Sequence, residues 1–124
     1  MKDYIELKTI KNADSRSPPY RCSELFPKWY LQSFLLGVPA LAIGYRNFRN
    51  HVYTIKRKHI KEVLRDTWKY VPDFDPNVCL GRAHATLSAL LEHVHSLGSA
   101  QGRFELHVDS NGDAWVTSPA DLDE

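Results

Sequence analysis

The chain has 124 residues, of which 43% are hydrophobic and 25% charged, and its formal net charge is +1. This is the composition of an ordinary globular protein with enough sequence for one small core, and it excludes a disordered tail. No apolar run approaches the about 20 residues that cross a bilayer, and the polar start Met1-Lys2-Asp3-Tyr4 lacks a signal-peptide pattern, so a nuclear or cytoplasmic address without membrane contact is expected.

In chain order, Tyr4 to Lys8 reads as a strand and Asn12 to Pro19 as a turn-rich surface loop. A helix is predicted from Ser23, its cap, to Leu36, with Gly37 and Pro39 ending it and Pro27 tolerated only in its first turn. Its apolar residues lie nearly all round, which predicts burial. Strands follow at Ala40 to Tyr45 and His51 to Lys56, joined as a hairpin by Arg46 to Asn50, and then a helix from Lys58 to Thr67. Asp75 as cap and Pro76 in the first helical position open the longest helix, which runs to Gly98 and is expected to cover the sheet. Arg103 to Val108 and Ala114 to Thr117 flank Asn111-Gly112, a strong hairpin signal, and the acidic stretch Pro119 to Glu124 reads as a frayed tail. The fold class is α+β, a mixed β-sheet with flanking helices.

Chemistry concentrates at Glu6-Leu7-Lys8. Residues two apart on a strand share a face, so the Glu6 carboxylate and the Lys8 ammonium stand side by side with Leu7 packed behind them. Such a carboxylate can hold a hard divalent cation, and such a lysine can neutralise a scissile phosphate or orient water. A solvated Glu and Lys on an exposed strand is the plainer reading of the two residues alone. Gln32 is the odd residue of an apolar helix: it either bonds backbone in the core or faces the Glu6 and Lys8 strand. Between Arg46 and Lys69 there are eight basic residues against Glu62 and Asp66, a block suited to phosphates, with Tyr53, Trp68 and Tyr70 near for stacking, or equally a solvated surface. Cys22 and Cys79 are too few for a disulfide framework and read as reduced core thiols. His93 and His95, two apart on a helix, do not have the spacing of a zinc pair.

The stretch Phe26-Pro27-Lys28-Trp29-Tyr30-Leu31-Gln32-Ser33-Phe34-Leu35-Leu36-Gly37-Val38-Pro39, followed by Ala40 to Arg46, resembles the signature of the DXO decapping and exoribonuclease family. That signature reads E-hydrophobic-K, a loop, a helix end with Q-S-F-L-x-G-V-P, and a strand ending G-[FY]-R. Trp68 and Asp75-Pro76-Asn77-Val78-Cys79 resemble the family's later helix start. The likeness spans residues 1–118 as the C-terminal part of such a domain, with 119–124 as the tail.

The resemblance implies a partial PD-(D/E)xK nuclease core and a metal-dependent hydrolase acting on RNA 5′ ends, removing incomplete or non-standard caps, NAD-type caps included, with 5′→3′ exoribonuclease activity as an addition. Carried over, Glu6 is a metal ligand with the Leu7 carbonyl as a candidate second, Lys8 contacts the scissile phosphate, and Gln32 helps to place it. Mg²⁺ or Mn²⁺ is the implied cofactor, and some relatives pair with a 5′→3′ exoribonuclease. The family's G-E-x-D and E-hydrophobic-D motifs lie upstream of this strand, where here only Met1 to Ile5 stand. The expectation is therefore a truncated enzyme with an unpaired sheet edge prone to self-association. The alternatives are a catalytically dead RNA-binding or scaffolding relative, or an unrelated α+β interaction domain.

Overall fold

The computed structural model describes residues 4–12, 19, 21–96 and 104–117. It divides into two compact units, residues 1–74 and 75–124. In the first unit the order is β1 (Ile5–Lys11), α1 (Cys22–Leu35), β2 (Ala40–Arg46), β3 (Val52–His59) and α2 (Ile60–Tyr70). β1 pairs parallel with β2, and β2 pairs antiparallel with β3, so β2 is the middle strand of a mixed sheet. Parallel neighbours cannot be joined by a tight turn, and α1 provides the crossover. The near-continuous apolar run of β2 suits a strand flanked on both sides. The hairpin joining β2 to β3 forms as predicted, turned by Asn47, whose Oδ1 accepts from the Arg49 and His51 amides.

Register sets the faces. Glu6, Lys8 and Ile10 stand beside Leu41, Ile43 and Tyr45 respectively. Ile10, Leu41, Ile43 and Tyr45 form one core with Cys22, Phe26, Trp29 and Tyr30 of α1 and Val63 of α2. Glu6 and Lys8 thus lie on the helix-covered face, beyond the end of its apolar part. Leu7, expected to pack behind them, is on the opposite face and 78% exposed.

α1 begins one residue earlier than predicted, and Ser23 is not its cap. The chain enters through Arg21 in the left-handed region at φ 70°, whose carbonyl accepts from the Glu24 and Leu25 amides while its Nε donates to Glu24 at 2.8 Å. Pro27 consequently falls in the second turn, where its missing N–H and ring cost helix stability. Burial of Phe26, Trp29 and Tyr30 around it offsets that cost. The helix is not buried all round: Cys22, Phe26, Trp29, Tyr30 and Ser33 form a single buried stripe, whereas Phe34, Leu35 and Leu36 are exposed. One covered side leaves one open side, whatever the sequence places there. Gly37 at φ +64° ends α1, its N–H donating to the Phe34 carbonyl and the Val38 N–H to the Ser33 carbonyl.

Lys58 and His59, expected at the start of a helix, are the last residues of β3, because their pairing with Leu41 and Ala40 continues the ladder. His59 then caps α2: its Nδ1 accepts from the Lys61 amide, and its own amide donates to Glu62 Oε2 at 2.7 Å. Asp66 on α2 is buried between Lys58, with which it makes a close ion pair, and Lys69 at 2.6 Å. Burial pushes the Asp66 carboxyl up, but the two ammonium groups outweigh it and hold the group below its ordinary 3.8. A carboxyl depressed in the folded state stabilises above its unfolded pKa, and that contribution disappears as pH falls through the folded one. Urea melts are therefore expected to weaken as pH is lowered from about 5, and Asp66→Asn should be less stable at pH 7 by about 2 kcal/mol with a flatter acid limb. An unchanged acid limb in Asp66→Asn would remove this ion pair from the account.

The second unit holds α3 (Pro76–Ser96), β4 (Glu105–Val108) and β5 (Ala114–Thr117). Asp75 Oδ1 accepts from the Asn77 amide, the predicted cap. α3 has no buried residue, and within the first unit the three-stranded sheet is covered by α1 and α2. β4 and β5 form the predicted hairpin, turned by Asp109 Oδ1 accepting from the Asn111 and Asp113 amides with Gly112 at φ +88°. Cys22 is buried, whereas Cys79, also expected in the core, is only half-buried, and both thiols are free. Residues 13–18, most of the predicted loop, and the predicted tail lie outside the described residues.

Candidate active site

Strand alternation presents Glu6 and Lys8 together, and α1 crosses above them through two consecutive residues. Lys8 Nζ lies 2.6 Å from Glu6 Oε1 and donates to Gln32 Oε1 at 3.0 Å. Ser33 Oγ donates to Glu6 Oε2 at 2.9 Å. The four side chains, spread over 28 positions of sequence, thus make a closed set: carboxylate, ammonium, amide and hydroxyl. Gln32 does face the strand, but as an exposed residue rather than a buried amide.

The site is partly open. The Lys8 and Glu6 side chains keep 18% and 25% exposure, so solvent and a ligand can reach them while Ser33 at 0% cannot be reached. The Glu6 carboxyl is held below its ordinary 4.5, first by the hydrogen bond from Lys8, with partial burial opposing and Ser33 assisting. At neutral pH the group is an anion with both oxygens engaged, next to a cation that can turn elsewhere.

Among the described residues no cluster of three His, Cys, Asp or Glu side chains stands ready for a metal ion. Glu24 is bonded to Arg21 and Glu62 caps α2, so neither joins Glu6. The donor chemistry of Glu6 fits one ligand position of a hard divalent ion, and one carboxylate alone holds such an ion weakly. The basic block is divided in its use. Lys58 and Lys69 are bound to Asp66, Lys56 lies over the Tyr45 ring, and Arg46 donates to Asn50, while Arg57, Lys61 and Arg65 face solvent. Of the expected stacking residues, Tyr70 packs edge-on against Phe26 in the core, whereas Tyr53 and Trp68 are exposed.

Ser33 was not singled out from the sequence, although a signal for it exists. It continues the stripe of Cys22, Phe26 and Trp29 at intervals of four, three and four, so a polar side chain falls where an apolar one is expected.

The described helices include none long and apolar enough to cross a membrane. Comparison with known proteins identifies the family. The chain is 35% identical over 88 residues to the decapping and exoribonuclease protein of Rattus norvegicus, covering 68% of this chain and 22% of that one. It is 27% identical over 104 residues to the decapping nuclease RAI1 of Aspergillus fumigatus, covering 78% and 27%. It therefore spans about a quarter of the length of these curated relatives. Among solved structures, Scheffersomyces stipitis Rai1 in complex with (3′-NADP)+ and calcium superposes with a TM-score of 0.71 at 16% identity, over 94% of this chain and 30% of that one. S. pombe Rai1 in complex with 3′-FADP superposes at 0.67 with 26% identity, over 83% and 33%. The mixed sheet crossed by α1 is thus shared with Rai1, and with a family model matching residues 1–120, the chain belongs to the RAI1-like PD-(D/E)XK nuclease family.

Proposed function

We propose that this chain carries the E-hydrophobic-K half of a metal-dependent hydrolase that removes incomplete or non-standard caps, NAD-type caps among them, from RNA 5′ ends. The observation that carries the reading is Lys8 Nζ held between Glu6 Oε1 and Gln32 Oε1, an ammonium kept at the side of an acidic ligand by an amide that can also face a substrate. The dinucleotides named in the two Rai1 complexes are the kind of end group such a site would meet, which supports the cap class. Trimming of RNA in the 5′→3′ direction and pairing with a separate 5′→3′ exoribonuclease belong to the same proposal.

In this reading Glu6 and the Leu7 carbonyl would hold Mg²⁺ or Mn²⁺, which when bound polarises a phosphate and favours ionisation of the attacking water. Lys8 gives up Glu6 to neutralise charge on the scissile phosphate, and Gln32, relieved of Lys8, donates its amide N–H to the substrate or orients water. β1 is an edge strand among the described strands, and its outer edge would accept a further strand, from another part of the protein or from a second copy, as the carrier of the remaining acids.

With one carboxylate at the site among the described residues, the chain by itself is expected to bind Mn²⁺ weakly, in the millimolar range or above, and to hydrolyse slowly or not at all. The test is Mn²⁺-induced broadening of NMR signals around β1, in the chain and in Glu6→Ala, together with cleavage of NAD-capped RNA. Broadening centred on residues 6–8 that vanishes in Glu6→Ala is the expected result. Vigorous cleavage indifferent to Glu6 would sink the proposal. Its rival, a catalytically dead RNA-binding relative, draws on the lack of a second acid beside Glu6 among the described residues. It predicts salt-dependent RNA binding unchanged by Glu6→Ala, Lys8→Ala or Gln32→Ala.

A further inference from the structure

Glu6 has two carboxylate oxygens and, among the described residues, one donor to each, and the donors differ in kind. Oε1 is met by Lys8, a long side chain whose ammonium is reachable from solvent. Oε2 is met by Ser33, which is completely buried, on the packed stripe of α1. The Ser33 carbonyl accepts from the Val38 amide in the turn that ends α1 at Gly37, so the residue is fixed at backbone as well as side chain. A serine inside a helix commonly turns its hydroxyl back on the preceding turn of its own backbone. This one crosses to the neighbouring strand instead.

We infer that Ser33 is a positioning residue for Glu6: its hydroxyl locks Oε2 and the plane of the carboxylate, leaving Oε1 as the single oxygen offered to a divalent cation once Lys8 turns to a phosphate. This rests on the reading of Glu6 as a metal ligand given above. The physical need is plain. A glutamate has two soft torsions beyond its Cβ, and no other described residue bonds its carboxylate when the Lys8 ammonium leaves. A donor that stays in place keeps the carboxylate in one rotamer through the exchange, so ordering it does not have to be repeated each time the cation binds. Outer partners of this sort commonly change metal affinity by about 10–100-fold when removed.

The test uses the full chain and Mn²⁺ as the probe, with affinity read from the concentration dependence of signal broadening at residues 6–8 and fold checked by urea melts. Ser33→Ala removes the hydroxyl, and Ser33→Cys replaces it by a weak donor of similar size, so a pure packing role would be restored by the second. Both are expected to weaken Mn²⁺ binding about tenfold at full occupancy of the folded state. Recovery of wild-type affinity in Ser33→Cys, or affinities within twofold of wild type in both variants, would overturn the positioning role. A parallel Glu6→Gln arm separates this from the larger reading. If Glu6→Gln abolishes the broadening while both Ser33 variants match wild type, only the positioning role fails, whereas broadening indifferent to Glu6→Gln overturns both.

Discussion

Phe26→Ala is expected to abolish cooperative folding of the first unit, or to lower its urea midpoint by more than half, with Trp29 and Trp68 fluorescence as the readout. Phe26 is 2% exposed, with its ring centroid 5.4 Å from Trp29 and 5.7 Å from Tyr70, which it meets edge-on. Removing a buried phenylalanine costs about 3–5 kcal/mol, against a total stability of about 5–15 kcal/mol for ordinary domains and less for small ones. The consequence reaches the site, because Phe26 is what presses α1 onto the sheet. Without it Gln32 and Ser33 lose their place above Lys8 and Glu6. Leu35→Ala, at an exposed position on the same helix, is the control and should change stability by no more than about 0.5 kcal/mol. Equal midpoints for Phe26→Ala and the control would mean that the helix is not held by this contact.

Lys8→Met should separate two things that Glu6→Ala removes together. Its expected effect is a loss of about 100- to 1000-fold in cleavage of NAD-capped RNA, measured with Mn²⁺ and with the acidic upstream part of a related nuclease supplied in excess. Mn²⁺ binding should persist or tighten, because the ammonium 2.6 Å from Oε1 competes with any cation for that oxygen. The Glu6 carboxyl rises when Lys8 is removed, because the hydrogen bond and the charge that lower it are lost. Parallel loss of Mn²⁺ binding and cleavage would instead make Lys8 a support for Glu6 and not a phosphate contact.

The elements most legible in the sequence were those whose signal is local. Asn111-Gly112 between alternating segments specified the β4–β5 hairpin, Asp75-Pro76 specified the start of α3, and Gly37 specified the end of α1. Each depends on a few adjacent backbone conformations that few residue types satisfy. The starts of α1 and α2 were misplaced for the complementary reason. Arg21 adopts a left-handed conformation that its side chain does not announce, and Lys58 and His59 join a strand because β2 is there to pair with them. Burial was misjudged where it depends on what lies opposite. Phe34, Leu35 and Leu36 are as apolar as the residues buried a turn earlier, yet they are exposed.

At the site, the sequence by itself determined the neighbours on one strand: Glu6 and Lys8 share a face because a strand repeats every two residues. It also determined the family, through motifs that run from Glu6 to Arg46, and the family model matches residues 1–120. Only the tertiary structure decided that Gln32 reaches Lys8, that Ser33 takes the second oxygen of Glu6, and that Lys58 and Lys69 both pair with Asp66. These contacts join residues up to 27 positions apart, or on different elements, and their distances follow from how α1 and α2 settle on the sheet. Periodicity fixes which way a side chain leaves its own element, whereas packing fixes what it meets.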